Sequence, residues 1–324
     1  MPPRKIAEGG DAIVYSLELS KAHDDATTRQ VLRVFRPSTE HHDVEVERYV
    51  MNALAERGFP APPSLWGGND AELFGAPAML CDHLSGRQLL GGGVDADDMA
   101  GRLKGVAADL RNVSRFSSVV AELAIALQEI DAEAIFSEGR SRGLNVDSLR
   151  MEPRLERLRE RIAHYGEPGL EASFAWLQNH VPPAPKQRVL CHGDLNPTNL
   201  LMKSDRVTGV LDWSALSFGH PAREVGVVRS GLRTIPLLGP IGSWIRGRMA
   251  DSLTRHYTAN RPLDEAAALF FEAWILIDLT CNYRDALHGL RENRGPWDNP
   301  KGQSECARYF EAITGVPLPV LEVG

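Results

Sequence analysis

The chain has 324 residues, 43% hydrophobic and 24% charged, a balance that fits a globular protein of about two domains. A formal net charge of −7 leaves no basic excess to neutralise phosphates, which argues against a nucleic-acid-binding protein. No apolar run approaches the ~18 residues of a membrane span, and the opening MPPRKIAEGG lacks the apolar core of a signal peptide, so a cytoplasmic protein without a membrane partner is expected.

Taken in chain order, the first eighty or so residues read as strand-rich. AIVYSLEL (12–19) and QVLRVFR (30–36) are β-rich runs, and the polar stretch SKAHDDATTR between them suggests a hairpin. The spacing then predicts a helix from Ser38 to Arg57, with a stripe at Val46, Val50, Met51 and Leu54 and a stop at Gly58. Pro60, Pro62 and Pro63 prevent its continuation. SLWGGNDAELF and PAMLCDHL follow as two short strands around a GGND turn.

After Gly86 helical periodicity dominates. SSVVAELAIALQEID (117–131), DSLRMEPRLERLRERI and EASFAWLQNHV all read as helices. A β island interrupts them: RVLCHGD, NLLMK, the turn SDR, and VTGVLDW. From Glu224 onward the chain is helical again, with a long apolar segment at DEAAALFFEAWILIDLTCNY. The four cysteines, Cys81, Cys191, Cys281 and Cys306, show no metal-ligand spacing and are expected as buried thiols. The expected fold class is α+β, with a small β-rich lobe over residues 1–84 and a larger, mostly helical lobe over 85–324.

The chemistry concentrates in the β island. Phosphoryl transfer needs a carboxylate near the attacking hydroxyl and oxygen ligands for Mg²⁺, preferably a carboxylate and an amide carbonyl. Asp194, Asn199 and Asp212 supply these, and a hairpin predicted between the two acids returns the chain beside its start. Taken singly, an Asp or Asn in a turn usually closes an Asx-turn, and a lone His192 usually serves structure. Together, H-x-D-L-x-x-x-N matches the kinase catalytic-loop signature, with Gly193 in place of Arg. In the small lobe, Glu47 shares a helix face with Val50, Met51 and Leu54, while Glu45 shares one with Tyr49 and Asn52. A carboxylate on the core side needs a cation, and Arg33 is the natural partner.

His192-Gly193-Asp194-Leu195-Asn196-Pro197-Thr198-Asn199 and Leu211-Asp212-Trp213 resemble the HGDxxxxN loop and the [IL]DW metal motif of the aminoglycoside phosphotransferase and choline kinase family, relatives of the protein kinases. The resemblance covers most of residues 5 to about 290. It implies a two-lobed protein-kinase-like fold whose nucleotide fills the interlobe cleft. It further implies ATP and Mg²⁺ as cofactors, Asp194 with His192 as catalytic residues, and Asn199 and Asp212 as metal ligands. VLRVFRP resembles the family's phosphate-facing strand, which puts Arg33, braced by Glu47, on the phosphates. Gly9 and Gly10 would lie in a phosphate-covering turn, and the backbone of Asp82 and Leu84 in MLCDHLSGR would meet the adenine.

Departures are Ser214, where the family often has Glu after the Trp, His220 and Glu224 in the segment 219–226, and Gln128, where His is common. The expected activity is transfer of the γ-phosphate of ATP to a hydroxyl of a small molecule. The alternatives are a catalytically silent nucleotide-binding protein and a kinase acting on a protein. For the acceptor, Trp274, Asp278 and Asn282 share one face of the last long helix. An acid and an amide beside an indole suit a hydroxylated or cationic molecule better than an anionic one.

Overall fold

The structure, a computed structural model, describes residues 3–8, 12–21, 24–36, 43–69, 73–90, 99–236, 239–291 and 295–321. Its elements are β1 (Arg4–Glu8), β2 (Ala12–Lys21), β3 (Asp24–Phe35), α1 (Val44–Glu56), β4 (Ser64–Gly68), β5 (Ala78–Asp82) and β6 (Arg87–Gln88). Then come α2 (Met99–Glu129), α3 (Ala132–Ser141), α4 (Met151–Tyr165), α5 (Pro168–Asn179), β7 (Val189–Cys191), β8 (Leu200–Lys203) and β9 (Arg206–Val210). The chain closes with β10 (Ser217–Gly219), α6 (Ala222–Thr234), α7 (Gly239–Thr258), α8 (Glu265–Leu287) and α9 (Pro300–Thr314). An antiparallel sheet at the N-terminus followed by a mostly helical region is the α+β class expected.

Two compact units compose the chain, and neither is continuous in sequence. One comprises Met1–Val106, Ala134–Val146 and Asn196–Ser214; the other comprises Ala107–Glu133, Asp147–Leu195 and Ala215–Gly324. In the first unit, an antiparallel sheet has the order β1-β2-β3-β5-β4. The hairpin strands reach further than their apolar runs, since β2 continues to Lys21 and β3 begins at Asp24. The expected ten-residue connector is therefore mostly strand, because cross-strand pairing extends through polar residues such as Thr27 and Thr28.

Helix α1 begins at Val44, where Asp43 caps it by accepting from the amides of Glu45 and Val46. The expected start at Ser38 lies outside the described residues. Asn69 of the GGND turn accepts from the Val44 amide at 2.9 Å and donates to Asp43 at 3.0 Å, fixing that cap. At the far end Gly58 adopts φ +81° and Phe59 donates back to the Leu54 carbonyl, a left-handed stop that glycine makes cheaply.

The hairpin β8–β9 joins the same unit, with the Val210 amide donating to the Pro60 carbonyl at 2.7 Å. Its turn residues Ser204 and Asp205 both have positive φ, as a two-residue hairpin turn demands.

The second unit is built around α8, which is buried on most sides and packs against α4, α5, α6 and α9. Phe174, Phe270, Phe271, Leu276 and Phe310 form its core. By length and composition α8 could cross a membrane, but within this unit it carries the fully buried Arg284, bonded to both carboxylate oxygens of Glu167. The short sheet β7–β10 pairs Ser217 with Cys191 and Gly219 with Val189, and delivers the chain into the His192 loop. All four cysteines are free and buried, as expected.

Candidate active site

In the first unit, one cation ties two predicted site residues together. Arg33 on β3 donates to Glu47 on α1 at 2.6 Å and to Asp212 at 3.0 Å. The helix-face argument for Glu47 holds: it is 2% exposed among Val50, Met51 and Leu54, while Glu45 is exposed. Tyr49, which shares a face with Glu45, is buried all the same, its hydroxyl donating to the Ile135 carbonyl of α3 at 2.7 Å. Burial would lower the pKa of Arg33, but the charges of Glu47 and Asp212 outweigh it and raise that pKa. The guanidinium carbon also lies over the Phe35 ring, 4.9 Å from its centre, a cation–π contact.

Asn199 and Asp212 meet through the β8–β9 hairpin. The ladder Leu200↔Val210 continues outward as a bond from the Leu211 amide to the Asn199 carbonyl, 2.8 Å. Asp212 follows at φ +60°, a conformation costly for a residue with a Cβ and one that clusters at functional sites. Trp213 holds it there. Its indole is fully buried, donates to the Val210 carbonyl at 2.8 Å and packs edge-on against Phe59.

Asn196 closes an Asx-turn that bonds the amides of Thr198 and Asn199, and Gln88 donates to the Thr198 carbonyl. Asn199 and Asp212 thus offer an amide oxygen and a carboxylate, hard ligands of the kind Mg²⁺ takes together with substrate phosphates. Asp212 keeps a side-chain exposure of 41%, so part of it faces solvent.

The connector expected to meet adenine is anchored in this unit. Asp82 donates its amide to Pro63 at 2.8 Å and accepts from Gln30 at 3.0 Å, so what its backbone can offer a base is the carbonyl. Thr208 donates to the Ser85 carbonyl, and Leu84 lies close over Gly209. Gly9 and Gly10 lie outside the described residues.

In the second unit, β7 leads into the loop carrying His192 and Asp194. His192 is fully buried, and its Nδ1 accepts from the Asp194 amide at 3.2 Å. It therefore positions the loop from beneath, while Asp194 is half-buried. Gly193 has φ +80°, and a Cβ there would lie 2.7 Å from the Ala215 carbonyl and 2.2 Å from Nη1 of Arg223. Only glycine fits.

Sequence reasoning noticed Glu224 only as a departure, yet it braces this loop. Both its carboxylate oxygens accept from the Gly193 amide at 3.1 Å. Burial raises its pKa, opposed by Arg223 and by the amides of Gly193 and His192. An acid 30 residues beyond the Asp194 loop carries no local signal of that contact. Gln128, the other departure, donates to the Pro221 carbonyl and accepts from Tyr257, so it supports the start of α6.

On α8, Asp278 and Asn282 do converge, and Arg161 of α4 joins them. It donates to Asp278 at 2.7 Å and to Asn282 at 2.8 Å, and also reaches Asp285. Trp274 stacks against Phe271 and meets Phe270 edge-on, so much of the indole belongs to core packing.

Residues 5–268 match the phosphotransferase enzyme family, and the chain belongs to it. Its fold is similar to that of a putative aminoglycoside phosphotransferase from Ralstonia eutropha JMP134, with a TM-score of 0.62 at 18% identity over 97% of this chain and 93% of that one. A thermostable mutant of aminoglycoside phosphotransferase APH(4)-Ia, in ternary complex with AMP-PNP and hygromycin B, gives a TM-score of 0.59 at 17% identity, with the same coverage of 97% and 93%. Acyl-CoA dehydrogenase family member 11 of Gallus gallus is 27% identical over 186 residues, which is 57% of this chain and 22% of that protein. The chain thus spans less than a quarter of that relative.

Proposed function

We propose that this protein moves the γ-phosphate of ATP to a hydroxyl of a small molecule in a Mg²⁺-dependent reaction. The observation that carries the reading is the bridge from Arg33 to Glu47 and Asp212. A buried carboxylate pins a guanidinium beside a second, half-exposed carboxylate, an arrangement suited to a phosphate chain and its cation. The ternary complex of APH(4)-Ia holds AMP-PNP and hygromycin B, and that supports a nucleotide and a hydroxylated small molecule here.

Asp194 orients the acceptor hydroxyl and takes its proton. The acceptor oxygen bonds to the γ-phosphorus as the bond to the β–γ bridging oxygen breaks, and ADP leaves. Arg33 positions the phosphates, Glu47 holds Arg33, and Glu224 with His192 keeps the loop in place. Asn199 and Asp212 would hold Mg²⁺, which would supply positive charge to offset that on the phosphates.

The test is consumption of Mg-ATP by the full chain against pooled alcohols, with Asp194→Asn as the comparison. Loss of a general base costs about 10²–10⁴-fold in kcat, while the isosteric amide keeps the loop's shape. Equal turnover by Asp194→Asn would remove Asp194 from the mechanism.

A further inference from the structure

Two arginines of the helical unit stand beside the catalytic loop with donors left over. Arg154 on α4 gives Nη2 to the Leu216 carbonyl, while its buried Nε has no hydrogen-bond partner among the described residues. Arg223, in the first turn of α6, buries an Nη1 in the same condition. Its guanidinium lies against the backbone of Gly193, the residue before Asp194. Ser217, next after the carbonyl that Arg154 holds, likewise buries a hydroxyl without a partner.

Such an arrangement is costly, because buried charge must be paired and buried donors satisfied. Burial, then Arg223 and Arg157, bring the Arg154 pKa down to about 9, with Asp278 alone opposing. The neighbouring acids are already engaged. Asp278 is bonded to Arg161, and Glu224, whose charge offsets part of that on Arg223, gives both oxygens to the Gly193 amide rather than to a guanidinium. Among the described residues neither Arg154 nor Arg223 is hydrogen-bonded to a carboxylate, and Arg223 lies against the residue that precedes the base.

We infer that Arg154 and Arg223 form an anion subsite for the acceptor, so that the molecule phosphorylated carries a carboxylate or a phosphate close to its reactive hydroxyl. The identity of the ligand as acceptor rests on the phosphotransfer reading; the subsite itself does not. The subsite reverses the preference that Asp278 and Asn282 suggest by themselves, since Arg161 already answers that acid. Bidentate binding of an oxyanion by guanidinium forks also fixes its orientation, which sets the distance from anion to hydroxyl.

Two readouts on the full chain test this. First, inorganic phosphate and glycerate are titrated separately while the melting temperature is followed. Both should raise it; Arg154→Gln and Arg223→Gln should each remove the rise, Arg223→Lys should keep part of it, and Arg308→Gln, at an exposed arginine of α9, should leave it intact. If Arg154→Gln does not fold, Arg154→Met takes its place. No rise in the wild type, or a rise that survives both glutamine variants, would overturn the subsite.

Second, Mg-ATP consumption is measured with alcohol pools sorted by charge. Turnover should be confined to anionic pools: hydroxycarboxylates if the partner is a carboxylate, phosphorylated alcohols if it is a phosphate. Arg223→Gln should raise the acceptor KM about tenfold or more, as loss of one charge-assisted contact implies, and leave the ATP KM unchanged. A preference for neutral or cationic alcohols would overturn the inference. So would an equal fall in kcat with every pool and no change in acceptor KM. Anion binding lost in the arginine variants, together with silence of every pool, would uphold the subsite and count against the phosphotransfer reading.

Discussion

Arg33 answers to two carboxylates of unequal standing. Glu47 is 2% exposed, whereas Asp212 keeps 41% of its side-chain area exposed. The bond to Glu47 is thus the fixed one, and under the proposed function the bond to Asp212 is the one that a nucleotide and its cation would exchange. If so, Arg33→Ala and Glu47→Ala remove parts of one device. Their combined effect on the ATP KM should fall short of the sum by about 0.5–3 kcal/mol, the range for residues in direct contact. Strict additivity in that double-mutant cycle would show that the two act independently. The Arg33–Glu47 pair was legible in the sequence, because helical spacing assigns Glu47 to the core face and a buried acid requires a cation. The bond to Asp212 was not, since it spans 179 residues and no local period reaches that far. The same limit hid Arg161, which meets Asp278 across 117 residues.

Helices α6 and α8 approach through Gly226, where an added Cβ would lie 2.5 Å from the Ala268 carbonyl and 3.1 Å from Cβ of Phe271. Backbone cannot yield as a flexible side chain does. Gly226→Ala should therefore cost about 1–3 kcal/mol by overpacking, read as a lower denaturation midpoint. Because Glu224 lies in the first turn of the same helix, the separation should also loosen the Gly193 loop and reduce kcat. An unchanged midpoint would mean that the two helices separate without cost. Element types were largely readable from periodicity, but their ends were not. Helix α2 extends back to Met99 rather than starting near Ser117, and Gly101 and Gly105 in that stretch lower the local propensity that would have announced it. Conversely α1 starts at Val44, because Asp43 and Asn69 close its amides there, a cap completed by a residue 26 positions away.

The family match and the fold agree at the scale of the chain, yet the compact units are assembled from separated segments. Asn196–Ser214 belongs with the N-terminal sheet because the Val210 amide bonds to Pro60 and Trp213 packs on Phe59. Sequence order places that hairpin among helices, and only those long-range contacts move it. One consequence is that Asn199, Asp212, Arg33 and Glu47 fold as parts of one unit, so a ligand held by them should stabilise that unit directly. A ligand that binds only the native state adds RT ln(1 + [L]/Kd), about 2.7 kcal/mol at a hundredfold excess over Kd. Mg-ATP should accordingly raise the melting temperature of the wild type well beyond what ATP achieves with a chelator present. Asp212→Ala removes the carboxylate proposed to hold Mg²⁺ but leaves Arg33 and its brace, so the variant should keep the small rise with ATP alone and lose the additional rise with Mg²⁺. Each protein is compared with its own ligand-free melt, because replacing Asp at φ +60° also changes intrinsic stability. A Mg²⁺-dependent rise in Asp212→Ala equal to that of the wild type would take the metal away from Asp212, and with it the reason for holding that residue in a strained conformation beside Arg33.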